Sequence, residues 1–209
     1  MNYPAEQVFA AACAAHRVNG EYVKGTRWPD VAAPDAKLSN RKLMMQFLSP
    51  DCAPMDEADI EQGRKVRTYF QSLTFKILSG VVLSEFDSNA LALSNRDELS
   101  SNYELAVVCS FPASFERGVA RQTAESRVNF ASGGYVGKVG DKVTITCEIL
   151  RSFYSQQWAT SYVTAITPDD QALFFAYKQT PEIGSTVTVT GYVKAHRDNQ
   201  SQLNRCKIV

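Results

Sequence analysis

A change of periodicity near residue 134 restricts the fold of this chain more than any other feature of its sequence. Beyond that point apolar residues recur at every second position in five short runs, over 142–150, 158–166, 171–178, 185–196 and 202–209. Successive side chains of a β-strand point to opposite faces, so each run predicts a strand with one apolar face. β-Branched and aromatic residues dominate the runs, as a half-buried pleated surface prefers.

Turn residues separate these runs, and the number of runs favours a closed barrel. The segments 168–170 and 181–184 contain the proline, aspartate and glycine residues that are typical of turns. Five short strands are too few for a sandwich of two sheets, and an open sheet would leave long edges exposed. Closure into a barrel removes these edges, and the five-stranded OB-type barrel is the common arrangement at this size.

The part of the chain before these runs is patterned as helices. We expect helices over 4–16, 39–48, 55–79, 96–110 and 112–128, and an extended stretch around Trp28. In the longest helix a buried stripe is expected from Ile60, Val66, Phe70, Leu73 and Ile77. Two glycines at 133 and 134 mark the domain boundary. The predicted fold is α+β, with a mainly helical region 1–130 followed by a five-stranded OB-type β-barrel over 135–209.

Several classes of function are excluded by missing motifs. The cysteines are odd in number and form no Cys-x-x-Cys pair, so we expect buried free thiols in a reducing cytosol instead of disulfides or zinc ligands. No phosphate-binding loop, nucleophile elbow or His-Glu-x-x-His motif is present, which favours a non-catalytic protein without cofactor or metal. The apolar run 8–15 is too short to cross a membrane and has no basic leader, so we expect it to be the buried face of a helix.

A candidate binding face follows from the predicted strands. OB barrels bind oligonucleotides across their second and third strands, beside two loops that here would be 152–157 and 196–201. If Val163 and Phe175 point into the core, their neighbours Tyr162 and Phe174 point out. Aromatic rings stack on bases and cations follow the phosphates. The predicted nucleic-acid-binding residues are Arg151, Phe153, Tyr154, Trp158, Tyr162, Phe174, Lys178, Lys194, His196 and Arg197.

Some of these residues have a second interpretation. Trp158 could equally be a core residue, and His196 is better explained as a hydrogen-bonding group of a loop than as a catalytic base. Three arginines of the last helix, Arg117, Arg121 and Arg127, form either a phosphate-facing stripe or ordinary solvated charges that pair with Glu116 and Glu125.

Three segments of the predicted barrel resemble OB-type modules of bacteriophage replication proteins. They are Gly-Lys-Val-Gly-Asp-Lys-Val at 137–143, Gly-Tyr-Val-Lys-Ala-His at 191–196 and Gln-Leu-Asn-Arg-Cys-Lys at 202–207. The resemblance covers only the last third of the chain. It implies binding of single-stranded DNA during phage replication or recombination in the cytoplasm of a bacterial host, with replication proteins as candidate partners.

A protein-binding adaptor is the main rival to this interpretation, because the same fold serves both purposes. The formal net charge of zero favours the adaptor, since nucleic-acid-binding domains are usually basic. The sequence leaves open whether DNA or RNA is preferred and whether the protein forms a homo-oligomer.

Overall fold

The structure, a computed structural model, describes residues 2–25, 37–51 and 55–209. The predicted extended stretch around Trp28 and the predicted free thiol of Cys52 lie outside these residues. Among the described residues, the helices all lie between residue 5 and residue 129 and a closed five-stranded barrel follows, so the predicted α+β fold is confirmed. The contacts divide the chain into two compact units, Met1–Gly118 and Val119–Val209.

The first unit contains six complete helices among its described residues, together with two short strands that pair with each other. In chain order its elements are β1 (Tyr3–Pro4), α1 (Ala5–Asn19), α2 (Asn40–Phe47), α3 (Glu57–Gln71), α4 (Leu73–Leu78), α5 (Glu85–Ser94), β2 (Glu98–Leu99) and α6 (Asn102–Val108). The last helix, α7 (Phe111–Asn129), begins in this unit. The predicted burial of the run 8–15 is confirmed, because every residue of α1 from Val8 to Ala15 is buried.

The predicted helix over 55–79 is interrupted at Ser72, which ends α3 and precedes α4. The Ser72 hydroxyl donates a hydrogen bond to the carbonyl of Tyr69, and such local bonds compete with a continuous helix. The predicted burial of Ile77, the last residue of the stripe, is therefore wrong, because its side chain is 50% exposed. Phe70 and Leu73 are buried as predicted.

The boundaries of two further helices are set by serine caps. The side chain of Ser84 accepts a hydrogen bond from the amide of Asp87 and starts α5, a helix that was not predicted. Ser101 and Glu104 form a reciprocal capping box at the start of α6, so this helix begins six residues later than the predicted residue 96.

Helices α1 and α3 approach each other closely at Gly63. A Cβ atom at this position would lie 2.7 Å from the backbone nitrogen of Ala10 and 2.9 Å from its Cα. Real Cβ atoms do not approach backbone atoms this closely, so the packing of the two helices depends on glycine here.

Replacing Gly63 with alanine should therefore lower the free energy of unfolding by about 1–3 kcal/mol. This is the opposite of the usual effect, because alanine normally stabilises a helix relative to glycine by about 1 kcal/mol. Thermal unfolding followed by circular dichroism measures the change. Ser88→Ala, at an exposed position of α5, is the control and should leave the midpoint almost unchanged. An equally stable Gly63→Ala protein would contradict the predicted overpacking.

The second unit is the barrel together with the end of α7. Its strands are β3 (Lys142–Ser155), β4 (Thr160–Ile166), β5 (Ala172–Tyr177), β6 (Thr186–Arg197) and β7 (Gln200–Ile208). They close in the order β3-β4-β5-β7-β6, and all neighbours are antiparallel except β5 and β7. This five-stranded closure is compatible with an OB-type barrel. The alternating residues that the sequence predicted to face inwards line one core, among them Cys147, Val163, Phe175 and Val189.

Both predicted binding loops are wrong, because the strands continue through most of their residues. β3 extends to Ser155, so Phe153 and Tyr154 lie in a strand and the connection to β4 is 156–159. β6 and β7 are joined by Asp198 and Asn199 alone, with φ angles of 50° and 60°. The type I′ turn, common in two-residue hairpins, needs positive φ at both positions, which Asp and Asn tolerate. His196 and Arg197 are consequently strand residues.

The end of α7 packs against the barrel within this second unit. Ala124 and Val128 form a small apolar cluster with Leu150, Ile166 and Ala172 of the strands. The side-chain Nδ2 of Asn199 donates to the carbonyls of Val128 and Ala131, which ties the β6–β7 hairpin to the end of this helix.

The glycine segment after α7 is held against the β4–β5 turn. Asp170 accepts hydrogen bonds from both the amide and the hydroxyl of Ser132, and these bonds lower the pKa of its carboxyl group. The amide of Gly133 donates to the carbonyl of Asp170 at 2.9 Å. The segment is therefore fixed to the barrel by several hydrogen bonds.

Candidate functional site

The outer surface of β3, β4 and β5 carries two rows of side chains that do not belong to the core. In the first row Phe153 lies opposite Tyr162, and Tyr162 lies opposite Ala176. Directly paired residues of neighbouring strands project to the same face. The adjacent residues Val163 and Phe175 are buried in the core, so this row faces outwards.

In the second row Arg151 lies opposite Thr164, which lies opposite Phe174. Phe174 is also in register with Gln202 of β7. The register of β3 shifts between Ile149 and Arg151, and a bulge of this kind reverses the alternation and turns Arg151 to the outside. Rows two residues apart are separated by about 7 Å along the strands.

Three aromatic rings dominate these rows, and we call Phe153, Tyr162 and Phe174 the aromatic face. The rings of Tyr162 and Phe174 are parallel to within 4°, with their centroids 6.1 Å apart. Phe153 is 58% exposed, and the sequences of β4 and β5 contain no charged residue. The structure thus brings three predicted rings together, with Arg151 in the second row beside them.

Trp158 and Lys178 lie at the end of the aromatic face, where β3 turns into β4. Trp158 is in the connection 156–159 and is 65% exposed, so it is not a core residue. Lys178 follows β5 directly and is exposed. The backbone carbonyl of its neighbour Tyr177 accepts a hydrogen bond from the Thr160 hydroxyl at 3.0 Å, which holds this end of β5 against β4.

Tyr154 points to the other side of β3 from Phe153. It lies opposite Ser161, which lies opposite Tyr177, and Tyr177 packs against the core. Tyr154 itself is nevertheless 47% exposed. Of the two neighbouring rings that the sequence singled out, Phe153 alone is part of the aromatic face.

The remaining predicted residues, Lys194, His196 and Arg197, lie on β6, which β7 separates from β5. Lys194 and Arg197 are exposed. The imidazole of His196 stacks on the ring of Tyr135 at a centroid distance of 4.4 Å, and its Nδ1 lies 3.2 Å from the hydroxyl of Ser201. His196 therefore makes internal contacts and is not brought to the aromatic face.

The arginines of α7 are engaged in polar contacts instead of forming a free stripe. Arg121 donates to Glu125 at 2.7 Å, as predicted for solvated charges. Arg127 donates two hydrogen bonds of 2.8 Å to Glu148, and they hold the pKa of that carboxyl group below its ordinary value. Arg117 donates to the hydroxyl of Ser114.

The two carboxylates that were expected to pair with these arginines have other neighbours as well. Among the described side chains, Glu116 pairs with His16, whose Nε2 lies 3.0 Å away, and with none of the arginines of α7. Glu125 lies 4.0 Å from the guanidinium of Arg151, so this cation of the second row has a carboxylate within reach.

The cysteines of the described residues are free, as expected from their spacing. Burial raises the pKa of the Cys13 thiol to about 12 and that of Cys147 to about 11. Burial, with a smaller contribution from Cys147, also raises the pKa of Cys206 to about 11. Such thiols stay protonated at neutral pH and are weak nucleophiles.

Comparison with known proteins adds no relative to these observations. No family model, curated protein or solved structure matches the chain. Within the described ranges, no three His, Cys, Asp or Glu side chains are grouped so that they could hold a metal ion. The helices of the same ranges are each too short or too polar to cross a membrane.

Sequence analysis missed one neighbour of the aromatic face. Gln202 lies beside Phe174 because β5 and β7 pair in parallel, and such pairing joins segments that are distant in the sequence. The predicted alternation of β7, with Cys206 and Ile208 inward, puts Gln202 on the inner side as well, and it gives no information about the strand next to β7. The irregularity at Arg205 shifts this alternation, so Leu203 is the buried residue and Gln202 faces outwards.

Proposed function

We propose that this protein binds single-stranded nucleic acid, DNA in the first place, through the aromatic face and without catalysing a reaction. The observation that carries the proposal is that three rings stand on the outside of a barrel whose core is complete without them. Phe153 is 58% exposed, and Tyr162 and Phe174 are half-buried, so each ring forgoes part of the favourable free energy of burial. A base that stacks on it recovers about 1–3 kcal/mol, whatever the base, because every base has a π-face.

The spacing of the rings suits an extended strand. Phe174 lies in one row, Phe153 and Tyr162 lie in the next, about 7 Å away, and Trp158 lies beyond them at the end of the hairpin. Successive bases can stack along this path. Arg151 and Lys178, at its two ends, are placed to contact the phosphates.

The biological setting comes from the resemblance to OB-type modules of bacteriophage replication proteins. It supports a role in phage-type DNA replication or recombination, in the cytoplasm of a bacterial host. Single-stranded DNA is then the ligand, and replication proteins are the candidate partners.

Binding of fluorescent oligo-dT to the full chain, measured by anisotropy at two salt concentrations, tests the proposal. Each phosphate contact with a single strand contributes about −0.7 to the slope of log K against log salt. For a short oligo-dT that covers only the aromatic face, contacts from Arg151 and Lys178 predict a slope of about −1.4. Raising the salt fourfold should then weaken binding by roughly sevenfold.

A duplex of the same length is the control, because its bases are already stacked and should gain little from the aromatic face. Preference for the single strand supports the proposal, and an oligo-rU of equal length measures the choice between DNA and RNA. Absence of oligonucleotide binding even at low salt would refute the proposal.

A protein-binding adaptor is the second candidate function. In the helical unit, Phe75, Leu78 and Val82 expose most of their side chains in and after α4. Contiguous exposed apolar side chains commonly mark contacts with other proteins or with a second copy of the chain. Self-association in analytical ultracentrifugation, together with no oligonucleotide binding at low salt, would favour this function.

A further inference from the structure

A second surface of the barrel carries unpaired positive charge. It lies on the outside of β6, the end of β7 and the start of β3. We call it the cationic face, and it consists of Lys142, Tyr192, Lys194, Asn204, Arg205 and Lys207. All six residues are exposed, Tyr192 by 39%.

The strand register places these side chains in two adjoining rows. Lys142 lies opposite Tyr192, which lies opposite Asn204. In the next row Thr144 and Thr190 are hydrogen bonded through their hydroxyls at 2.9 Å, and Thr190 lies opposite Lys207. The surface therefore combines ammonium groups with hydroxyl and amide donors.

Two irregularities of the β6–β7 pair add further cations to this surface. The register shifts between Val193 and Ala195 and leaves Lys194 without a partner residue on β7. Arg205 has a φ of 52°, in a second irregularity opposite Gly191. Bulges of this kind redirect side chains and are common at functional surfaces.

Gly191 is required by the second of these irregularities. A Cβ at this position would lie 2.9 Å from the Sγ of Cys206 and 3.0 Å from the carbonyl oxygen of Asn204. The exposure of Arg205 on β7 therefore depends on the absence of a side chain at Gly191 of β6.

The charges of the cationic face are not neutralised by neighbouring carboxylates. β6 and β7 contain no acidic residue. Among the residues that the structure describes, Lys142, Lys194, Arg205 and Lys207 take part in no ion pair, whereas Arg127 and Arg151 each lie within 4.0 Å of a carboxylate. Asp141, next to Lys142 in the chain, accepts a hydrogen bond from the amide of Lys138.

A row of amide side chains joins the two faces. Gln202 lies in register with Phe174 of the aromatic face. Asn204, two residues further along the same side of β7, lies opposite Tyr192 of the cationic face. A strand that leaves the aromatic face at Phe174 therefore meets hydrogen-bonding groups all the way to the cations.

We propose that the cationic face binds the phosphate backbone of a nucleic-acid strand that continues from the aromatic face around the barrel. This inference rests on the proposed function and extends its footprint. A backbone ligand fits better than a stack of bases here, because four cations accompany a single aromatic ring. An acidic protein segment could pair with these cations, but it would not explain why the polar row of Gln202 and Asn204 connects them to Phe174.

The test uses the full chain and two oligo-dT probes, of about 4 and about 16 nucleotides, the range of site sizes of OB barrels. The variant Lys142→Gln, Arg205→Asn, Lys207→Gln removes three charges, and asparagine tolerates the positive φ at 205. The matched control, Lys42→Gln, Lys65→Gln, Lys76→Gln, removes three exposed charges from the helical unit.

The variant should bind the longer probe at least about tenfold more weakly, with a salt slope about two units shallower, because three phosphate contacts are lost. Its affinity for the shorter probe and both affinities of the control should stay within about twofold of the wild type. Equal losses in variant and control, or equal losses for both probes, would overturn the inference. Competition by poly-glutamate as strong as by the longer probe would also overturn it.

Failure of this inference is distinguishable from failure of the proposed function. If the wild type binds both probes and the variant binds them as tightly as the wild type does, the cationic face does not bind the strand. The proposed function of the aromatic face is then retained. If the wild type binds neither probe at low salt, both proposals fail together.

Discussion

Alanine in place of both Tyr162 and Phe174 should weaken the binding of oligo-dT by at least about 2 kcal/mol, roughly thirtyfold. The two rings are parallel and lie 6.1 Å apart on the outside of the barrel, so each can stack with a base. Neither ring fills the core, and the unfolding midpoint should change far less than the affinity. Anisotropy titrations at low salt, with a circular dichroism melt of each protein, measure the two quantities.

Three further variants sharpen this expectation. Phe130→Ala removes a ring that is 83% exposed but lies outside the aromatic face, so it should leave the affinity unchanged. Phe153→Ala should cost about 1 kcal/mol or more, whereas Tyr154→Ala should cost less because its ring points to the other side of β3. A double variant with wild-type affinity, or a larger loss at Tyr154 than at Phe153, would contradict the assignment of the face.

Gly133→Ala should be among the most destabilising single substitutions in the barrel unit. A Cβ at Gly133 would lie 1.9 Å from the carbonyl oxygen of Asp169, and this oxygen belongs to a turn that the neighbouring hydrogen bonds hold in place. The segment must move away and lose the bond between the Gly133 amide and the Asp170 carbonyl. We expect a loss of about 3 kcal/mol in the free energy of unfolding.

Thermal and urea unfolding measure this loss, and the adjacent glycine provides the control. Gly134 has a φ of 71° and no atom within 4 Å of an added Cβ, so Gly134→Asn keeps a tolerated backbone conformation without a clash. It should cost less than about 1 kcal/mol. Similar midpoints for the two variants would show that the contact at Gly133 is not needed for stability.

The sequence was informative about the barrel because alternation reports directly on the two faces of a strand. Val163 and Phe175 were expected inside, and they are buried. Tyr162 and Phe174 were expected outside, and the register places them there. Alternation could not locate the bulge before Arg151 or the one at Lys194. A single inserted residue does not change the residue composition of a run in a recognisable way.

Boundaries were less predictable than faces, for physical reasons that differ between the two units. The sequence predicts a loop around Phe153 because the apolar alternation of β3 ends with its core-facing part, whereas pairing with β4 continues to Ser155. In the helical unit, a regular apolar spacing up to Ile77 suggested one helix. The spacing does not report the local hydrogen bond from the Ser72 hydroxyl to the Tyr69 carbonyl, at which α3 ends, and Ile77 lies half in solvent.

The apolar cluster formed by Ala124 and Val128 with three strand residues decides how the barrel can be studied in isolation. A fragment cut at the glycines would uncover Leu150, Ile166 and Ala172, and it would be prone to aggregate for a reason unrelated to ligand binding. A shortened protein intended to carry only the binding surfaces should therefore retain the chain from Val119 onwards, so that the final turns of the helix still shield those three side chains from water.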